Sequence, residues 1–85
     1  MPHRSPLKKS APIDIYIGAE ARRLRELQGI SVSKMARNIG FSKNHYTSME
    51  KGRVSFRVST VFLISEFLNV DAGHFLSLGR PEKPR

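Results

Sequence analysis

The 85-residue sequence contains no cysteine, which excludes a disulfide framework, a thiolate zinc site and a cysteine nucleophile together, and suits a cytosolic protein. Long apolar runs are also missing. No segment approaches the ~18 to 20 apolar residues of a membrane span, and no apolar stretch of signal-peptide length follows the basic amino terminus. The expectation is a soluble, cytoplasmic chain with no membrane partner. Histidine is sparse: His3, His45 and His74 stand apart from one another along the chain. With no metal-ligand spacing, no phosphate-binding glycine loop and no nucleophile set beside a base, nothing points to catalysis. Enzyme chemistry, a metal, a cofactor and a small-molecule ligand are therefore not expected.

Acidic residues are scarce too. Seven Asp and Glu stand against fifteen Lys and Arg, for a net charge of +8 and a pI near 10.7. Residues 1–13 hold +3, residues 80–85 hold +2 and the stretch between holds +3, so more than half of the excess lies towards the two ends. Such a balance favours a polyanion, because Lys and Arg contacts to phosphate release counterions. On its own it also fits a merely soluble basic protein, or one drawn to acidic lipids.

The length allows one compact domain with one small core, to which dimerisation would add burial. Pro2, Pro6 and Pro12 among Ser and basic residues give a mobile basic arm over 1–13, since that composition buries too little apolar surface to offset its ordering entropy. Gly79, Pro81 and Pro84 mark a second flexible basic tail over 79–85. Between them, over 14–78, apolar residues recur at helical spacing with frequent punctuation, which predicts an all-α domain of five helices.

The first helix is predicted from Asp14 to Leu27, with Ile17, Ala21 and Leu24 on one face and Gly29 as its stop. A second, from Val32 to Asn38, starts at the N-cap Ser31, buries Met35, Ala36 and Ile39, and ends at Gly40. Ser42 caps a third over Lys43 to Glu50, with Tyr46 and Met49 turned inward and Gly52 closing it. Arg53 to Val58 alternates polar and apolar residues, but is short and reads as a loop. The fourth helix spans Ser59 to Leu68 with Val61, Ile64 and Leu68 inward; the fifth spans Ala72 to Leu78, with Asp71 at its start and Phe75, Leu76 and Leu78 to bury.

Gly40, Phe41 and Ser42 form a three-residue connection of the length found in a helix-turn-helix. Around it, several short segments fall in one order. Leu24-Arg25 ends the first helix, Gly29-Ile30-Ser31 makes the first turn and Met35-Ala36 lies in the second helix. Ile39-Gly40-Phe41-Ser42 follows, then Glu50-Lys51-Gly52 after the third helix and Leu68-Asn69-Val70 before the fifth. In this order and spacing, from Ile17 to Leu76, the sequence resembles the lambda-repressor-like family of Cro/CI-type or XRE-type regulators. Within that family it is similar to controller proteins and small phage or mobile-element repressors.

The resemblance implies a compact five-helix fold, a transcriptional regulator, and a third helix, about 42–49, that enters the major groove of double-stranded DNA. It places base-reading side chains at Lys43, Asn44, His45 and Ser48, with Thr47 beside them. Lys43 suits guanine O6 or N7, Asn44 a bidentate pair with adenine, and Ser48 either base; His45 reads a base edge or sits over a phosphate. It also implies an ion pair between Arg25 and Glu50. Ser31, Ser33, Ser42, Lys51, Arg53 and Arg57 flank the reading helix as candidate phosphate anchors. Two positions depart from the family pattern. Val32 stands where a phosphate-gripping glutamine is usual, and Phe56 where a proline is frequent, which leaves the aim of Arg53 and Arg57 open.

A single module covers one short half-site, so a homodimer on a two-fold related operator is expected, with occupancy following protein concentration as in an autoregulator. Phe62, Phe67, Phe75, Leu76 and Leu78 are the candidate dimer contacts, with completion of the monomer core as the other use for them. The basic arm either contacts DNA or is idle. The competing reading is a protein-interaction module of the same fold, an antitoxin or anti-activator, which the polar character of Lys43, Asn44, His45 and Ser48 disfavours.

Overall fold

The computed structural model describes residues 12–78; most of the arm read over 1–13 and all of the tail over 79–85 lie outside the described residues. The chain forms five helices with no strand among the described residues: α1 (Pro12–Leu27), α2 (Val32–Ile39), α3 (Lys43–Glu50), α4 (Val58–Leu68) and α5 (Ala72–Leu76). Helix α1 opens two residues before Asp14. A proline in the first turn forfeits no intrahelical bond and has a φ already suited to the helix, so Pro12 and Ile13 belong to the domain rather than to the arm.

The inward faces follow the apolar spacing. Ile17 and Ala21 of α1, Met35, Ala36 and Ile39 of α2, Tyr46 and Met49 of α3, Val61, Ile64 and Leu68 of α4, and Phe75 of α5 make one core. Leu24 is only half-buried. Helix α5 is shorter than its apolar residues suggested: it ends at Leu76, and of its expected core residues only Phe75 is fully enclosed. Leu76 is 40% exposed and Leu78 is half-buried beyond the helix end. Neighbouring residues on a helix point about 100° apart, so a helix this short buries one of them at full depth.

Helix α3 lies against α1 and α2, while α4 packs on α2 and α5 and touches α1. The contact of α1 with α3 is unusually close. A Cβ on Gly18 would sit 2.3 Å from the carbonyl oxygen of Met49 and 2.8 Å from that of Glu50, so only glycine lets α1 cross the end of α3 there.

Residues 53–57 form a loop tied back to the helices by hydrogen bonds. The Arg53 amide donates to Ser48 O at 3.0 Å, and the Phe56 amide donates to Asp14 Oδ1 at 2.9 Å. Asp14, expected only to favour the start of α1, is 5% exposed and ties that helix to the loop. A proline at position 56 has no amide to donate, whereas Phe56 supplies the bond and packs its ring partly against the core.

Candidate nucleic-acid interface

Helices α2 and α3 and the turn between them are defined by bonds local to the chain. Ser31 Oγ accepts from the Lys34 amide at 3.0 Å and Ser42 Oγ from the His45 amide at 3.1 Å, so both helices carry a side-chain N-cap. Each hydroxyl keeps its own O–H as a donor. Gly40 sits at φ 85 and ψ 26, and the amides of Gly40 and Phe41 return to Arg37 O and Ala36 O at 3.3 and 2.9 Å. This double closure is the Schellman arrangement, and the left-handed residue it needs is met here without a Cβ. Its hydrophobic element is present as well, since Phe41 packs against the core.

Because Tyr46 and Met49 turn inward, the opposite side of α3 faces solvent. Lys43, Asn44 and His45 are exposed, while Thr47 and Ser48 are half-buried nearer the C-terminal end. Ser31, Ser33, Ser42, Lys51, Arg53 and Arg57 are all exposed. Val32 is half-buried and packs against the core, so its side chain serves the interior. Helix α2 adds Lys34 and Arg37, both exposed, which sequence reasoning did not single out.

The end of α3 is tied to the end of α1. Arg25 Nε donates to Glu50 Oε2 at 2.7 Å and Nη2 to Glu50 Oε1 at 3.1 Å, a two-pronged pair whose side chains are 9% and 7% exposed. Arg25 Nη1 also donates to the Ile30 carbonyl at 2.8 Å. The Glu50 carboxylate raises the Arg25 pKa, so the guanidinium is held firmly charged. The buried Tyr46 hydroxyl has no hydrogen-bond partner among the described residues. Burial first, and the Glu50 charge after it, push its phenol far up.

Where α5 meets α1, His74 is not isolated. Its Nε2 lies 2.6 Å from Glu20 Oε2, and Glu20 also accepts from Arg23 at 2.9 and 2.7 Å. The Arg23 hydrogen bonds are the main reason that the Glu20 pKa falls to about 2, with His74 assisting. Positions 20 and 74 are 54 residues apart, and no sequence spacing announces such a pair. Of the expected dimer contacts, Phe75 is fully buried in the monomer and is removed from that surface. Phe62 is 54% exposed and Leu76 40%, with Phe67 and Leu78 half-buried. No helix among the described residues is long and apolar enough to cross a membrane.

Comparison with known proteins agrees with this arrangement. Residues 22–75 match the HTH_3 family model, described as helix-turn-helix. An uncharacterized HTH-type transcriptional regulator of Sinorhizobium medicae is 34% identical over 68 residues, 80% of this chain and 49% of its own length. The chain thus spans about half the length of that relative. Among solved structures, the restriction-modification controller protein C.AhdI of Aeromonas hydrophila superposes with a TM-score of 0.67 at 18% identity, over 73% of this chain and 90% of the controller. SinR, a master regulator for biofilm formation solved in complex with DNA, gives 0.64 at 24%, over 71% and 97%. From the family match and the five-helix architecture together, the chain belongs to the HTH_3, or XRE-type, helix-turn-helix family.

Proposed function

We propose that this chain is a sequence-specific, autoregulatory transcriptional regulator that binds a two-fold related operator as a homodimer, with α3 in the major groove. The observation that carries the reading is the two-sidedness of α3. Its inner face is sealed by Tyr46 and Met49, and its outer face presents Lys43, Asn44 and His45 beyond a turn closed at Gly40. An amide, an ammonium and an imidazole at one helix end are donors and acceptors suited to base edges. Thr47 and Ser48 reach the groove wall, while Ser31, Ser33, Ser42, Lys51, Arg53 and Arg57 hold phosphates on either side.

The Arg25–Glu50 pair fixes the reading helix against α1. Phe62 and Leu76, with Phe67 and Leu78 at the margin, form the contact between two copies, and two half-sites then lie about one helical turn apart. SinR, solved in complex with DNA, has the same fold, which supports DNA as the partner. Work on an operator places the protein in the cytoplasm.

The deciding experiment is enrichment of genomic DNA fragments by the purified chain near physiological salt, where non-specific binding of a basic protein is weak. A two-fold related sequence should emerge, and Lys43→Ala or Asn44→Ala should abolish its enrichment. If the folded chain enriches no sequence, the reading fails, and a protein partner for this surface takes its place.

A further inference from the structure

The Phe41 and His45 rings lie with their centroids 4.9 Å apart and their planes inclined at 38°. Phe41 belongs to the turn, with its amide bonded to Ala36 O at 2.9 Å and its ring half-buried against the core. His45 is exposed in the first turn of α3, its amide held by Ser42 Oγ. Helical side chains lean towards the N-terminus of their own helix, which carries the imidazole back over the turn and onto Phe41. Lys43 and Asn44 have no such support among the described residues.

We propose that Phe41 is a positioning residue for sequence reading: its ring holds the His45 imidazole so that the ring edge meets a hydrogen-bond acceptor of a base in the major groove. This rests on the DNA-binding reading above. With the imidazole held beside Phe41, its ring nitrogens are left to carry the polar contact, and they have no hydrogen bond among the described residues. Purine N7, O6 of guanine and O4 of thymine are the acceptors that the major groove offers to such a donor. A side chain already held in place loses less rotamer freedom when it binds.

The test uses the duplex that the full chain itself selects, with each base pair of one half-site changed in turn. Phe41→Leu is expected to lose about two- to ten-fold in affinity for that duplex, the range an aromatic pair supports. It is also expected to flatten preference at the same base pair as His45→Ala. Phe41→Tyr should keep both affinity and preference, and Phe41→Leu added to His45→Ala should cost nothing further. In the free protein, Phe41→Leu should move the His45 ring-proton resonances as the neighbouring ring current disappears.

If the two single effects multiply, or Phe41→Leu weakens all base-pair variants evenly, Phe41 only fills the core and the proposal is overturned. If Phe41→Leu does not fold, Phe41→Met removes the ring at similar volume and carries the same comparison. An unchanged base preference in His45→Ala, on a duplex that wild type still selects, sinks this inference while leaving the function standing. A wild type that selects no duplex overturns the function first, and the inference with it.

Discussion

Helices α2 and α3 start differently from α4 and α5. The first two begin at serines whose hydroxyls accept the Lys34 and His45 amides, whereas α4 and α5 begin at Arg57 and Asp71 with no side-chain cap bond. Their outer faces differ in the same way. Helix α3 shows Lys43, Asn44 and His45 to solvent, while α4 shows Val58, Phe62 and Leu63, exposed by 61%, 54% and 44%. Hydrogen bonds are directional and demand a fixed helix, so the half suited to reading bases is pinned by specific polar bonds. Apolar burial is roughly proportional to area and tolerates a looser helix start.

The sharpest way to break this contrast is at the buried pair. Arg25→Met leaves the Glu50 carboxylate buried without its partner and should cost about 3 to 5 kcal/mol in urea unfolding, while Arg25→Met with Glu50→Leu should recover most of that. A harmless single variant would mean that α3 needs no polar anchor. Gly18→Ala comes next, at about 1 to 3 kcal/mol, because the new methyl meets backbone carbonyls rather than a yielding side chain. A melting temperature equal to wild type would show that α1 and α3 can separate without penalty.

Caps give a finer comparison. Ser31→Ala and Ser42→Ala should each cost about 1 kcal/mol, whereas Asp71→Ala should stay within about 0.5 kcal/mol. Equal losses at all three sites would erase the distinction between the halves. The smallest effect expected is at Glu20. Its folded pKa, about 2, lies below the usual 4.5, so its contribution is present above about pH 4.5 and is lost as pH falls through about 2. Thermal melts should therefore decline less between pH 5 and 2 in Glu20→Gln than in wild type, by an amount kept modest by solvent around Arg23.

The legible parts of this fold were those written in local chemistry. Ser42 and Gly52 bracket α3, and its bounds, Lys43–Glu50, were readable from the sequence. The spacing of Met35, Ala36 and Ile39, and of Val61, Ile64 and Leu68, likewise gave the buried faces of α2 and α4. Pro12 misled, because a proline after a basic stretch looks like a breaker yet also opens a helix. Leu76 has the apolar character of a core residue, but it sits on a helix too short to enclose it. The candidate base-reading residues came from the family resemblance, and α3 does present Lys43, Asn44 and His45 together. Three contacts between distant segments left no trace in the sequence, in contrast to the Arg25–Glu50 pair that the resemblance implied: Gly18 against Met49, Asp14 with Phe56, and His74 with Glu20.

The Arg25 guanidinium reaches Glu50 with two of its nitrogens and the Ile30 carbonyl with the third. Ile30 directly precedes the cap of α2, and Glu50 is the last residue of α3. One side chain therefore works as a three-way strut: the entry to α2, the exit of α3 and the end of α1 cannot loosen separately. In amide exchange, these segments should open as a single cooperative unit, so a load applied at either end of the helix-turn-helix is carried by α1.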